Sequence, residues 1–207
     1  MVIGYEVIGD ETLGDGGFLT LRRLRLRARL AGGALTAEGL YDFVERPPGL
    51  DAVVLAIWRR GADGRPQVLL RDSMRIPLVF GRGEARPEPF TEVVAGILEV
   101  GDDVLACAAA EAHEEAGLTV SPADVEPLGP AMFPTPGMCA ELFHLLSCEV
   151  RPDAAAVAPP GDGSPFEEGA RVRWVPLADA LGACARGEIR DMKTELILRR
   201  LAEKVGG

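Results

Sequence analysis

The stretch "AGILEVGDDVLACAAAEAHEEAGL", Ala95 to Leu118, decides the fold. Its second half reads as a helix: Asp102 or Asp103 caps the start, alanines fill the middle, and Gly117 stops it. Its first half, with "FTEVV" ahead of it, reads as a strand that breaks near Gly96. Three acids, Glu111, Glu114 and Glu115, crowd the end of the helix. Glu111 and Glu115 stack on one helical face, and Glu114 extends the cluster. Like charges so placed cost roughly 0.2–0.5 kcal/mol per pair, and a helix C-terminus is already negative. Two readings stand on the carboxylates alone. One is an exposed acidic face. The other is a site for a hard dication, Mg²⁺ or Mn²⁺, which takes few carboxylates together with water and substrate phosphates.

Outward from this stretch, "DAVVLAIWRR" and "PQVLLRDSM" read as strands joined by the turn residues of "GADGRP". "VEPLGPAMF", "ELFHLLSCEV" and "ARVRWVPL" read as further strands, and "ADALGACARG" and "MKTELILRRLAEKV" as helices. "FGRGEARPEP" and "RPDAAAVAPPGDGSPFEEG" are loops, the second long enough to suggest a functional one. Near the N-terminus, Leu24, Leu26, Ala28 and Leu30 alternate with Arg25, Arg27 and Arg29, the pattern of a half-buried strand. A second strand follows around residues 40–45, and "RPPGLD" punctuates the chain. The expectation is an α/β chain in two parts: a small β-rich domain over residues 1–48, and a mixed sheet between helices over residues 49–207.

Composition excludes several functions. The chain has 207 residues, with Lys+Arg 22 against Asp+Glu 32 and a formal net charge of -10. A nucleic-acid backbone rewards clustered cations, so the arginine run reads as a solvated strand face and nucleic acid is not expected as a partner. Cys107, Cys139, Cys148 and Cys184 are scattered without a paired spacing, which argues against a disulfide framework or structural zinc. The first residues lack a basic start followed by an apolar run, and the longest apolar run, Ala52–Trp58, is too short to cross a bilayer. No membrane association and a cytoplasmic location are expected. His113 and His144 lack a nucleophile–acid arrangement and read as structural, and Trp58 and Trp174 as core.

The helix and its flanks resemble the Nudix box, the signature of a hydrolase superfamily. That pattern runs Gly, five residues, Glu, seven residues, then Arg-Glu-aliphatic-any-Glu-Glu-any-Gly-aliphatic. Gly96, Glu111, Glu114, Glu115, Gly117 and Leu118 fall in place, whereas Asp102 replaces the first Glu and Ala110 the Arg, and Ala112 is small for its slot. "EVVAGILEVGD", Pro134 with "TPGMCAE" after it, and "VLLRDSMRIPL" are similar to the branch acting on ADP-ribose and nucleoside diphosphate sugars, although Ser73 stands where that branch has Gln.

The resemblance implies a Nudix fold, an α/β/α sandwich preceded by a small N-terminal β domain that mediates dimerisation. It implies hydrolysis of the pyrophosphate bond of a nucleoside diphosphate sugar, with ADP-ribose giving AMP and ribose 5-phosphate as the first expectation. A GDP-mannose-type pyrophosphatase is one alternative, and a degenerate domain that binds a nucleotide without cleaving it is another. Carried over by position, Glu111 and Glu115 are metal ligands with Glu114 assisting, and the Ala95 carbonyl is the main-chain ligand. Glu114 and Glu115 also count as catalytic. Glu167 or Glu168, on the late loop, is the general base. Arg75 binds a substrate phosphate, and Arg46 and Glu141 reach the substrate. Mg²⁺ or Mn²⁺ is the expected cofactor, and a homodimer with exchanged N-terminal domains the expected assembly. The lost box arginine normally orients its neighbouring carboxylates. Without it the cluster depends on metal or on another base in space, with Arg71, Arg82 and Arg86 as the options.

Overall fold

The computed structural model describes residues 1–16, 19–46, 51–81, 88–154, 156–161 and 169–206. They form two units. One holds Met1–Leu50 with Thr135–Leu142, the other Asp51–Pro134 with Phe143–Gly207.

The first unit is a three-stranded antiparallel sheet in the order β1-β2-β3, from β1 (Val2–Asp15), β2 (Thr20–Leu30) and β3 (Gly39–Glu45). In β2 Leu24, Leu26, Ala28 and Leu30 are half-buried while Arg25, Arg27 and Arg29 are exposed. Neighbouring arginines pair across strands. Arg23 donates to Asp42 at 2.7 Å, and Arg22 reaches both Asp10 and Glu45. The arginine run is thus a solvated face laced with carboxylates. Strand β1 has no counterpart in the sequence expectation. Its register shifts at Gly4, Gly9 and Gly14, so bulges interrupt the period-two pattern by which a strand is recognised. The segment Thr135–Leu142 is held to β3 by Tyr41, whose hydroxyl donates to the Gly137 carbonyl at 2.7 Å, and by the Val44 N–H, which donates to Met138 O at 2.9 Å.

The second unit is built on a seven-stranded mixed sheet. Its strands are β4 (Asp51–Arg60), β5 (Pro66–Ser73), β6 (Phe90–Glu92), β7 (Val94–Leu98), β8 (Val125–Pro127), β9 (Phe143–Glu149) and β10 (Arg171–Pro176). The path is β10-β5-β4-β9-β8, with β6 on β5 and β7 on β4. Among the described residues of this unit only β4 and β9 pair in parallel; the other strand pairings are antiparallel. The apolar run of β4 has layers on both faces, which explains its lack of alternation. Val53, Leu55 and Ile57 face α2 (Val104–Ala116) through Ala108, Ala112 and Ala116. Val54, Ala56 and Trp58 face α3 (Leu177–Ala185) and α4 (Met192–Val205) through Leu177, Ile197, Leu198 and Leu201. The result is an α/β/α sandwich, and Trp58 lies in its core as expected. Trp174 packs half-buried against the other core face, with the Arg59 guanidinium 4.2 Å over its ring. Among the described residues no helix is long and apolar enough to cross a membrane.

Two local features differ from the sequence expectation. The strand ahead of α2 breaks at Val93 rather than Gly96. The Val93 N–H leaves the sheet and donates to Thr194 Oγ1, at the start of α4, at 2.9 Å. Gly96 stays inside β7, paired with Val53. A short helix, α1 (Ile76–Gly81), also appears after β5, with Pro77 in its first turn, where a missing N–H costs nothing.

Candidate active site

Helix α2 forms where its end signals put it. Asp103, not Asp102, is the N-cap, and its Oδ1 accepts from the Ala106 N–H at 2.8 Å. Asp102 instead accepts from the Glu99 N–H at 3.1 Å, closing the turn that leads into the helix. At the other end Gly117 takes the left-handed conformation, φ 65°, and the Gly117 and Leu118 N–H groups return to His113 O and Ala112 O. This termination fixes the last two turns, which carry Glu111, Glu114 and Glu115.

Those three acids line one cavity of about 270 Å³ with Arg75, Ala95, Gly96 and Ile97. Strand β7 thus forms one wall and the end of α2 the other. Glycine at position 96 has a direct cause. A Cβ built there would overlap the carboxyl end of Glu111, so the space a side chain would fill is taken by that acid. Glu115 is buried at 7% exposure, and both its oxygens are engaged. Arg71 Nη1 lies 2.9 Å from Oε1, and the Ala95 N–H donates to Oε2 at 3.0 Å. Of the three arginines that sequence offered as partners for the acids, Arg71 reaches Glu115. Arg82 and Arg86 lie outside the described residues.

Arg75 lines the cavity but is not aimed into it without restraint. Its Nε donates to Glu92 Oε1 at 2.8 Å, and its Nη2 lies 2.6 Å from Oε2. Glu92, only 1% exposed, also receives Lys193 Nζ at 2.6 Å and the Ser73 hydroxyl at 3.1 Å. Burial alone would raise the Glu92 carboxyl, but the charges of Lys193 and Arg75 outweigh it and hold it below the usual value of 4.5. Sequence reasoning missed Glu92. The signal was present: an acid inside the apolar strand "FTEVV" needs cations around it.

The field of the acids reaches Cys107, whose thiol donates to Ile97 O at 3.4 Å. Burial pushes this thiol up to about 11, and Glu111, Asp102 and Glu114 push the same way. Burial and these acids disfavour the thiolate, which makes the thiol a poor nucleophile.

Arg46 and Glu141, the other two residues expected to reach the substrate, belong to the first unit, where they form an ion pair with each other. Glu167 and Glu168 lie outside the described residues. His113 is exposed, and His144 Nε2 lies 3.5 Å from Asp51 Oδ2.

The donor set suits a hard dication. Three carboxylates line a cavity whose wall at Gly96 is bare backbone, and among the described residues no histidine or cysteine lines it. Among the described residues no three acidic, histidine or cysteine side chains are gathered into a ready-made cluster.

The family model of the NUDIX domain matches residues 50–196. The chain belongs to the NUDIX family. It is a Nudix-type hydrolase, and the matched residues include β7 and α2. Over 203 residues it is 36% identical to the GDP-mannose pyrophosphatase of Cronobacter sakazakii, covering 97% of this chain and 96% of that protein. Over 146 residues it is 29% identical to the NAD-capped RNA hydrolase NudC of Mycobacterium tuberculosis, covering 70% of this chain and 38% of that longer protein. A crystal structure of an ADP compounds hydrolase superposes with a TM-score of 0.74, over 100% of this chain and 97% of that one, at 17% sequence identity. At that identity the likeness establishes the fold.

Proposed function

We propose that this Nudix hydrolase cleaves the pyrophosphate bond of a nucleoside diphosphate sugar in a reaction that requires Mg²⁺ or Mn²⁺, converting ADP-ribose to AMP and ribose 5-phosphate. One observation carries the proposal: the acids of α2 and the cation Arg75 line the same cavity. A diphosphate repels a nucleophile until its charge is neutralised. The dication, when bound, neutralises phosphate oxygens and makes water a better nucleophile. Glu111 and Glu115 would hold it, with Glu114 and the Ala95 carbonyl assisting. Arg75, steadied by Glu92, pairs with a phosphate oxygen and orients the diphosphate. Water's oxygen forms a bond to one phosphorus as the bridging P–O bond breaks, and Glu167 or Glu168 takes the proton water gives up. Arg46 and Glu141 belong to the substrate-recognition set, and the first unit to a homodimer interface.

GDP-mannose is a second reading. A protein named for that activity aligns with this chain over nearly its whole length, and the two compounds share the diphosphate that the acids and Arg75 address. Phosphomonoester release from ADP-ribose, GDP-mannose and ADP-glucose with Mg²⁺ tests both. Cleavage of at least one, abolished by Glu115→Gln, is expected. Cleavage of none, or cleavage indifferent to Glu115→Gln, overturns the proposal.

A further inference from the structure

We propose that Arg71 is a positioning residue for Glu115, supplying from the sheet the cation that the box lacks at Ala110. The inference rests on the assignment of Glu115 as a metal ligand made above.

The geometry comes from strand parity. Leu69 packs in the core beneath α2, and Arg71, two residues on, faces the same way. Its guanidinium therefore comes up under the last turn of the helix. Arg71 is 3% exposed and Glu115 7% on their side chains, so the contact is sealed from water. The Ala95 N–H holds the second oxygen. One carboxylate is thus held at both oxygens from two strands, β5 and β7. Each carboxylate oxygen has a second lone pair, so the clamp leaves acceptor capacity for an ion.

The electrostatics call for such a clamp. Glu115 is buried at the negative end of a helix, with Glu114 beside it in sequence and Glu111 one turn back. A buried carboxylate needs a compensating charge. In the box pattern that charge is an arginine on the helix itself. Ala110 is an exposed methyl group and supplies none. Arginine suits the replacement because its guanidinium stays charged and offers a rigid fork of donors.

The test compares wild type, Arg71→Met, Arg71→Lys, and each variant combined with Ala110→Arg. The first readout is Mn²⁺ affinity without substrate, from the loss of the free-ion EPR signal, with thermal melting on the same samples. Partners that orient a metal ligand are worth about 10–100-fold in affinity. Arg71→Met is expected to weaken Mn²⁺ binding by about that factor, and Ala110→Arg to restore most of it. A merely structural Arg71 would lose melting temperature without recovering Mn²⁺ affinity through position 110. If Arg71→Met does not fold, Arg71→Lys decides. It should bind Mn²⁺ several-fold more weakly and regain affinity with Ala110→Arg. Unchanged affinity in the folded variants, or no recovery with Ala110→Arg, overturns the inference. Hydrolysis by the wild type separates the two claims: a wild type that binds Mn²⁺ through this pair but cleaves no nucleoside diphosphate sugar rejects the proposed function and leaves the positioning role standing.

Discussion

Gly96→Ala separates the fold from the chemistry at a single methyl group. Gly96 lies mid-strand, paired with Val53, and its φ is not in the left-handed region. The backbone therefore accepts alanine without strain. What alanine cannot accept is Glu111, whose carboxyl end occupies the volume of the new Cβ. The obstruction is the far end of a flexible side chain, so the acid rotates away and the sheet stays put. Stability is expected to change by less than about 1 kcal/mol, since removing a glycine from a strand is itself favourable by a few tenths or more. Function is another matter. A displacement of about 1 Å in a reacting constellation costs on the order of 100-fold, which is about 2.7 kcal/mol of lost transition-state stabilisation. The assay is phosphomonoester release from the best nucleoside diphosphate sugar, with thermal melting in parallel. A variant that melts as the wild type does and turns over within twofold of it would refute the placement of Glu111. A variant that unfolds would refute the claim that only a side chain stands in the way.

Three further outcomes follow from the same structure. Thr194→Val removes the acceptor of the buried Val93 N–H; it is expected to cost about 1–3 kcal/mol, read as a melting temperature lower by about 2–4 °C for each kcal/mol. Gly117→Ala forces a side chain into a left-handed position at φ 65° and against the Val157 carbonyl, so a loss of at least about 1–2 kcal/mol is expected in denaturant unfolding, and an unchanged midpoint would contradict the account of the helix end. Glu92 is held below its usual 4.5 when folded, so its contribution is complete above that value and fades as pH falls through the lower, folded value. The stability gap between wild type and Glu92→Gln, about 3–5 kcal/mol for a buried pair that loses one partner, should be widest near neutrality and shrink on acidification. A gap that stays constant with pH would show that Glu92 is not ionised in the folded protein.

How much of this was legible in sequence depends on where each cause lies along the chain. Helix α2 was readable because its cap, its alanines and its stop are adjacent residues. Strand β4 was readable as a strand from its run of apolar residues. Strand β1 was hidden because glycine bulges at Gly4, Gly9 and Gly14 reset the alternation before it could accumulate. The break at Val93 was hidden for a different reason: its cause, the Thr194 hydroxyl, stands 101 residues away. The acids of the site were legible as a cluster, since helical spacing alone gathers them. Their counter-charge was narrowed only to Arg71, Arg82 or Arg86, because Arg71 reaches Glu115 only once β5 lies beneath α2. Arg75 was named for a phosphate, and its restraint by Glu92 and Lys193 came from folding β6 and α4 against it.

The most direct test of the central claim, that the α2 acids and Arg75 share one dication-dependent pyrophosphate site, is an anomalous difference map. It would come from crystals soaked with Mn²⁺ and a non-hydrolysable methylene analogue of ADP-ribose. The account predicts a peak in the cavity between β7 and α2, within about 2.0–2.3 Å of carboxylate oxygens, with the analogue's diphosphate between it and Arg75. A well-ordered analogue bound elsewhere, with no Mn²⁺ peak at Glu111 or Glu115, would contradict it.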